Sequence, residues 1–80
     1  MTREQITHEI LGVMAKYSEH PGDALLAAES LEELVDSMAR IEIIFEIEDK
    51  YDVQIEDDEV LGIRTVADIV SCVEKRLATA

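Results

Sequence analysis

Asp36-Ser37-Met38-Ala39-Arg40-Ile41-Glu42-Ile43-Ile44-Phe45-Glu46-Ile47-Glu48-Asp49-Lys50-Tyr51 is the stretch that decides how this chain folds. It contains neither proline nor glycine, and its apolar residues recur at helical spacing. Asp36 is a good N-cap, because a short carboxylate accepts backbone N–H groups and suits the positive end of a helix. A helix is predicted from Asp36–Ser37 to Lys50 or Tyr51. Winding it at about 100° per residue gives two apolar faces. Met38, Ile41 and Phe45 form one stripe. Ile43, Ile44, Ile47 and Tyr51 form a wider stripe roughly opposite, and Glu42, Glu46, Glu48 and Asp49 lie between the two. A helix in a small bundle needs one stripe for its core, unless it is central and buried on both sides. The wider stripe is assigned to the interior. Met38–Ile41–Phe45 is then at least partly exposed and rimmed by carboxylates, the usual anatomy of a docking surface.

Working outward, Thr2-Arg3-Glu4-Gln5 reads as a capping box, with Thr2 as N-cap. Ile6, Ile10, Val13, Met14 and Tyr17 follow it at helical spacing. Ser18 to Ser30 reads as a loop around the turn signal Pro21-Gly22-Asp23, with Leu25 and Leu26 pinning it to the core. Beyond Asp52–Asp58 a short helical turn is expected near Asp57–Leu61, stopped by Gly62. Thr65 is the expected N-cap of a last helix, whose inner stripe is Val66, Ile69, Val70, Val73 and Leu77. No strand alternation persists. The expected fold is all-α: a small four-helix bundle of three main helices plus one short helix, with a long loop between helices 1 and 2. Eighty residues allow one domain, taken as 1–80.

Charge narrows the function. Lys plus Arg is 7 and Asp plus Glu is 19, a net charge of -12. Leu, Ile, Val and Phe make up 24 of the 80 residues, too many for a chain kept disordered by its charge. Between Glu29 and Glu59 there are 13 acids against Arg40 and Lys50, so this segment holds -11 of the total. Such a chain is repelled by nucleic-acid phosphates and by anionic membranes. No apolar run is long enough to span a membrane, and the polar N-terminus lacks the apolar core of a signal peptide. A single cysteine fits a reducing, cytoplasmic setting. The acidic field steers partners that present Arg and Lys, and a monomer is expected.

Few side chains here carry chemistry. His8 and His20 neighbour no nucleophile, and Cys72 reads as a packed thiol beside the last stripe. Glu56-Asp57-Asp58-Glu59 lacks the glycine-centred loop of a calcium site, and no His or Cys stands at metal-ligand spacing, so no metal is expected. Ser37 differs by its context. It follows an acid, opens the helix after a long loop, and lies near backbone N–H groups that attract an anion, so a phosphoryl group on its oxygen would be well placed. A helix-capping serine is the plainer reading.

With these residues in view, the chain resembles the acyl carrier protein family over nearly its whole length. The resemblance is carried by Asp36-Ser37-Met38, Ile41-Glu42-Ile43, Ile47-Glu48-Asp49-Lys50-Tyr51-Asp52-Val53-Gln54-Ile55 and Ile63-Arg64-Thr65-Val66-Ala67-Asp68. It implies a four-helix bundle with 4′-phosphopantetheine attached to Ser37 by a phosphopantetheinyl transferase, which Asp36 helps to engage. It implies a phosphoprotein that carries acyl groups as thioesters in fatty acid, modified lipid or polyketide synthesis and is no enzyme itself. Met38, Ile41, Glu42, Phe45, Glu48 and Asp49 would then meet enzymes with basic docking patches. Ile43, Ile44, Ile47 and Ile63 would line an interior that shelters an acyl chain. Met38 stands where leucine is commoner, Leu34-Val35 precedes the motif, and Phe45 is bulkier than expected. These departures suggest a specialised carrier. The alternatives are an aminoacyl or peptidyl carrier loaded by an adenylating ligase, and an acidic helical adaptor without a prosthetic group.

Overall fold

In the computed structural model, which describes residues 2–79, the elements run α1 (Arg3–Met14), α2 (Gly22–Ala27), a 3-10 turn (Leu31–Glu33), α3 (Ser37–Tyr51), α4 (Asp57–Gly62) and α5 (Val66–Thr79). No strand occurs among the described residues. Helix α1 starts where the capping box places it. Thr2 Oγ1 accepts from the Gln5 N–H at 3.1 Å, and Gln5 Oε1 accepts from the Thr2 N–H at 2.8 Å. Ile6, Ile10, Val13 and Met14 are buried on its inner side. The helix lies against α5, α3 and α2. Helix α5 is capped in a similar way: Thr65 Oγ1 accepts from Asp68 N–H, and the Asp68 carboxylate accepts from the N–H groups of Arg64 and Thr65. The bonds from Arg64 and Thr65 hold the Asp68 carboxyl below its usual range despite partial desolvation.

Four details differ from the sequence-based expectation. The segment Ser18–Ser30 is not all loop, because it contains α2. Pro21 sits in the N-cap position with φ −67°, and Ala24, Leu25, Leu26 and Ala27 are strong helix formers once a turn has begun. Leu25 is buried while Leu26 is exposed, since residues one apart on a helix point about 100° apart. Gly62 does not stop α4 in a left-handed turn. It is the last helical residue, and the chain leaves through Ile63 in an extended conformation. Leu77 is partly exposed, one turn past the end of the core stripe. Among the described residues, the left-handed one is Asp52, φ 54° and ψ 49°, which ends α3. Aspartate tolerates that conformation better than most residues.

The interior among the described residues is wholly apolar. Ile43, Ile44 and Ile47 of α3 meet Val66, Ile69, Val70 and Val73 of α5 and the α1 stripe in one cluster, closed by Leu25, Leu31, Val35, Ile55 and Ile63. Helices α1 and α3 are also tied at the surface of the bundle. Glu46 accepts from Tyr17 Oη at 2.5 Å and from Lys16 Nζ at 3.0 Å. That bond to Glu46 pushes the Tyr17 hydroxyl up to about 12 and holds the Glu46 carboxyl down. Tyr51 Oη donates to Glu9 at 2.7 Å. Helix α4 stands apart in one respect: none of its residues is fully buried. It is held by the buried Ile55 and Ile63 on either side and by the Glu59–Arg76 ion pair.

Candidate functional site

The segment before α3 is fixed from both sides. Leu31 N–H donates to the Arg64 carbonyl at 2.7 Å, and Val35 N–H donates to the Leu31 carbonyl at 2.8 Å. Leu31 and Val35 are buried, so the chain is anchored just before it exposes Asp36 and Ser37. Asp36 then caps α3, its Oδ1 accepting from Ala39 N–H at 2.8 Å. This division of labour sets the chemistry of Ser37. The cap is supplied by the residue before it, so Ser37 is the first helical residue and not the helix cap. Its hydroxyl is exposed and makes no hydrogen bond with any described residue. It stands at the end of a helix whose first N–H groups point outward and favour a negative group.

A cleft of about 430 Å³ opens beside this hydroxyl, between the start of α3, α4 and the segment Glu29–Glu32. Ser37 lines it together with Arg40, Ile41, Val60, Leu61 and Ile63. Behind it is a second space of only about 30 Å³, walled by Ile43, Ile44, Ile69, Met14 and Leu31. That is about one water's share of liquid volume. Arg40, Val60 and Ile63 border both spaces. Of the four isoleucines expected inside, Ile43, Ile44 and Ile63 line the small space, and Ile47 is buried away from it.

The other face of α3 is open. Met38, Ile41 and Phe45 are 70%, 46% and 63% exposed, and Glu42 and Asp49 flank them in solvent. Glu48, on the same rim, is half-buried and spends one oxygen on the Ile55 N–H at 2.9 Å, bracing the connection to α4. Arg40, Val60, Leu31, Met14 and Ile69 also border these spaces, although none was expected at the site. Arg40 had a readable signal, since it follows Ser37 by three positions and so shares its face of the helix. Cys72 is half-buried, and burial followed by the nearby Asp68 pushes its thiol up. Among the described residues, no group of three or more His, Cys, Asp or Glu side chains is placed to hold a metal. None of the described helices is long and apolar enough to cross a membrane.

The arrangement suits a flexible prosthetic arm. An exposed hydroxyl, helix N–H groups beside it and a cleft bordering the apolar interior fit phosphopantetheine. Comparison with known proteins agrees. Residues 8–73 match the family described as "Phosphopantetheine attachment site". An acyl carrier protein of Exiguobacterium sibiricum is 32% identical over 79 residues, 96% of this chain and 100% of that one. An acyl carrier protein of Rhodococcus erythropolis is 33% identical over 72 residues, 89% of this chain and 72% of that one. A meromycolate extension acyl carrier protein of Mycolicibacterium aurum is 44% identical, but over 41 residues, 51% of this chain and 42% of that one. The fold is shared with the solved acyl carrier protein of Enterococcus faecalis at a TM-score of 0.77 and 22% identity, over 95% of this chain and 99% of that one. The chain belongs to the phosphopantetheine-bearing acyl carrier protein family.

Proposed function

We propose that the chain is a carrier that works in the cytoplasm, with 4′-phosphopantetheine esterified to Ser37, and that it presents acyl thioesters to enzymes of lipid synthesis. One observation carries this reading: Ser37 is exposed, released from capping by Asp36, and set at the mouth of a cleft that leads to an apolar interior. In the transfer, Ser37 Oγ loses its proton as it bonds to the pantetheine-side phosphorus of coenzyme A. The bond from that phosphorus to the adenosine nucleotide breaks, and the nucleotide leaves. When bound, the arm supplies the reactive thiol that the half-buried Cys72 does not. The chain's own residues position and present; they do not catalyse.

Partners are expected to dock on Met38, Ile41 and Phe45, with basic side chains meeting Glu42 and Asp49. The phosphopantetheinyl transferase would be the first of them, engaging Asp36 as well. The apolar interior and the partial match to a meromycolate extension carrier support an acyl cargo over an aminoacyl one. The experiment offers the phosphopantetheinylated protein to an acyl-loading ligase and, separately, to a panel of amino-acid-adenylating ligases. The reading predicts acyl thioester and no aminoacyl thioester. Efficient aminoacylation would overturn the cargo class, and full biological activity of Ser37→Ala would turn the assignment to an adaptor without a prosthetic group.

A further inference from the structure

The cleft beside Ser37 and the small space behind it meet at Arg40, Val60 and Ile63. Valine and isoleucine are what an apolar passage needs. Arginine is not. Arg40 is one of seven Lys and Arg residues in a chain with nineteen acids, yet it stands at this junction, one turn beyond Ser37. One end of its guanidinium faces Glu32 at 3.6 Å. Glu32 is 70% exposed, so this pair is weak and can open. The Arg40 Nε is shut away from solvent and has no acceptor. An N–H withheld from both water and protein carries a desolvation penalty until an oxygen reaches it. The space that it borders, about 30 Å³, is too small for an alkyl chain as it stands.

We infer that Arg40 is the residue that selects the cargo carried on Ser37. It obstructs entry of a plain alkyl chain into the interior, and its Nε–H receives acyl groups that bear an oxygen on a carbon near the thioester. The inference rests on the Ser37 reading above. Entry displaces Arg40 from its present place between the two spaces. Beyond the thioester carbonyl that both kinds of cargo share, a plain chain gains only apolar contact from that displacement. A 3-hydroxyacyl group also supplies the missing acceptor. Helix α4, with no fully buried residue, is the wall that can yield.

The test loads the full chain with decanoyl- or 3-hydroxydecanoyl-phosphopantetheine, using the matching acyl-coenzyme A and a promiscuous transferase, and verifies loading by intact mass. Methyl NMR signals of Ile43, Ile44 and Ile69 report occupation of the interior, and the Arg40 Nε–H signal reports the hydrogen bond. In the unaltered protein, the ratio of occupied to empty interior should be about tenfold or more higher for the hydroxylated cargo, the scale of a hydrogen bond to a charged donor. The Nε–H signal should move with it. Arg40→Met keeps the apolar stem without the donor and should bring the two cargoes level. Arg40→Ala should admit both. Equal occupation by both cargoes in the unaltered protein, or a preference that survives in Arg40→Met, would overturn the inference. So would an Nε–H signal that responds to the bare arm and not to the acyl group. Absence of a mass gain would overturn the Ser37 reading and this inference with it, whereas a mass gain followed by any of the contrary NMR results overturns this inference alone.

Discussion

Two alanine variants on one helix, Phe45→Ala and Ile47→Ala, separate the proposed docking face of α3 from its core face. Ile47 is 0% exposed, so Ile47→Ala removes methyl groups from a closed cluster and leaves a cavity. Such truncations cost about 2–5 kcal/mol. Phe45 is 63% exposed and so retains only about a third of its possible burial. Full burial of a phenylalanine side chain is worth about 1.5–3 kcal/mol, so Phe45→Ala should cost at most about 1 kcal/mol of folding free energy. In a domain of this size that is a fall of about 4–8 °C in Tm, against about 10 °C or more for Ile47→Ala. On docking the order reverses. The exposed part of Phe45 is then the payload, about 1–2 kcal/mol, which corresponds to roughly 5- to 30-fold in affinity. Thermal and urea unfolding followed by circular dichroism give the first comparison. The apparent KM of a phosphopantetheinyl transferase for the apo protein gives the second. The reasoning is refuted if Phe45→Ala destabilises the fold as much as Ile47→Ala, or if it leaves KM unchanged.

Gly12 lies inside α1, and a Cβ placed there would meet nothing within 4 Å, so Gly12→Ala should raise stability by about 0.5–1 kcal/mol; a lower Tm would contradict the local account of α1. Asp68→Asn should cost about 1 kcal/mol at pH 7, because the charged acceptor of the Arg64 and Thr65 N–H groups is lost. The Asp68 carboxyl is lowered in the fold, so its contribution is present above the unfolded value and is lost as pH falls through the folded one. The gap between the two proteins should therefore narrow below about pH 4, which urea titrations at several pH values will show. The Cys72 thiol is half-buried and pushed up, so the apo protein should react slowly with an aromatic disulfide reagent at pH 7 until it is unfolded. Phosphopantetheinylation should add one fast-reacting thiol to that trace.

The parts of the fold that were legible in the sequence are those where one local rule acts alone. Thr2 and Gln5 cap α1, Asp36 caps α3, and Thr65 caps α5, because capping needs only a short polar side chain next to a periodic stripe. The two faces of α3 were legible because an isoleucine-rich stripe outcompetes a narrower one for the core. Helix α2 was obscured because Pro21-Gly22-Asp23 is both a turn signal and an acceptable helix start, and six residues give too short a stripe to decide. Gly62 misled in the opposite direction, since the α4 exit is set by the burial of Ile63 and not by a left-handed glycine. At the site, Ser37 stood out through its neighbours. The spacing places Arg40 on the Ser37 side of α3, but Val60 and Ile63 come beside it only in the folded chain. The tie between Glu48 and the Ile55 N–H was hidden for the same reason.

The most direct test of the account is the intact mass of the apo protein after incubation with coenzyme A, Mg²⁺ and a promiscuous phosphopantetheinyl transferase, beside a Ser37→Ala control. Ser37 is exposed and caps nothing, so the control should remain folded, and its circular dichroism checks this. The account predicts a gain of one phosphopantetheinyl group in the unaltered protein and none in the control. An unmodified protein beside a known carrier that is fully modified, or a gain that persists in Ser37→Ala, would contradict it.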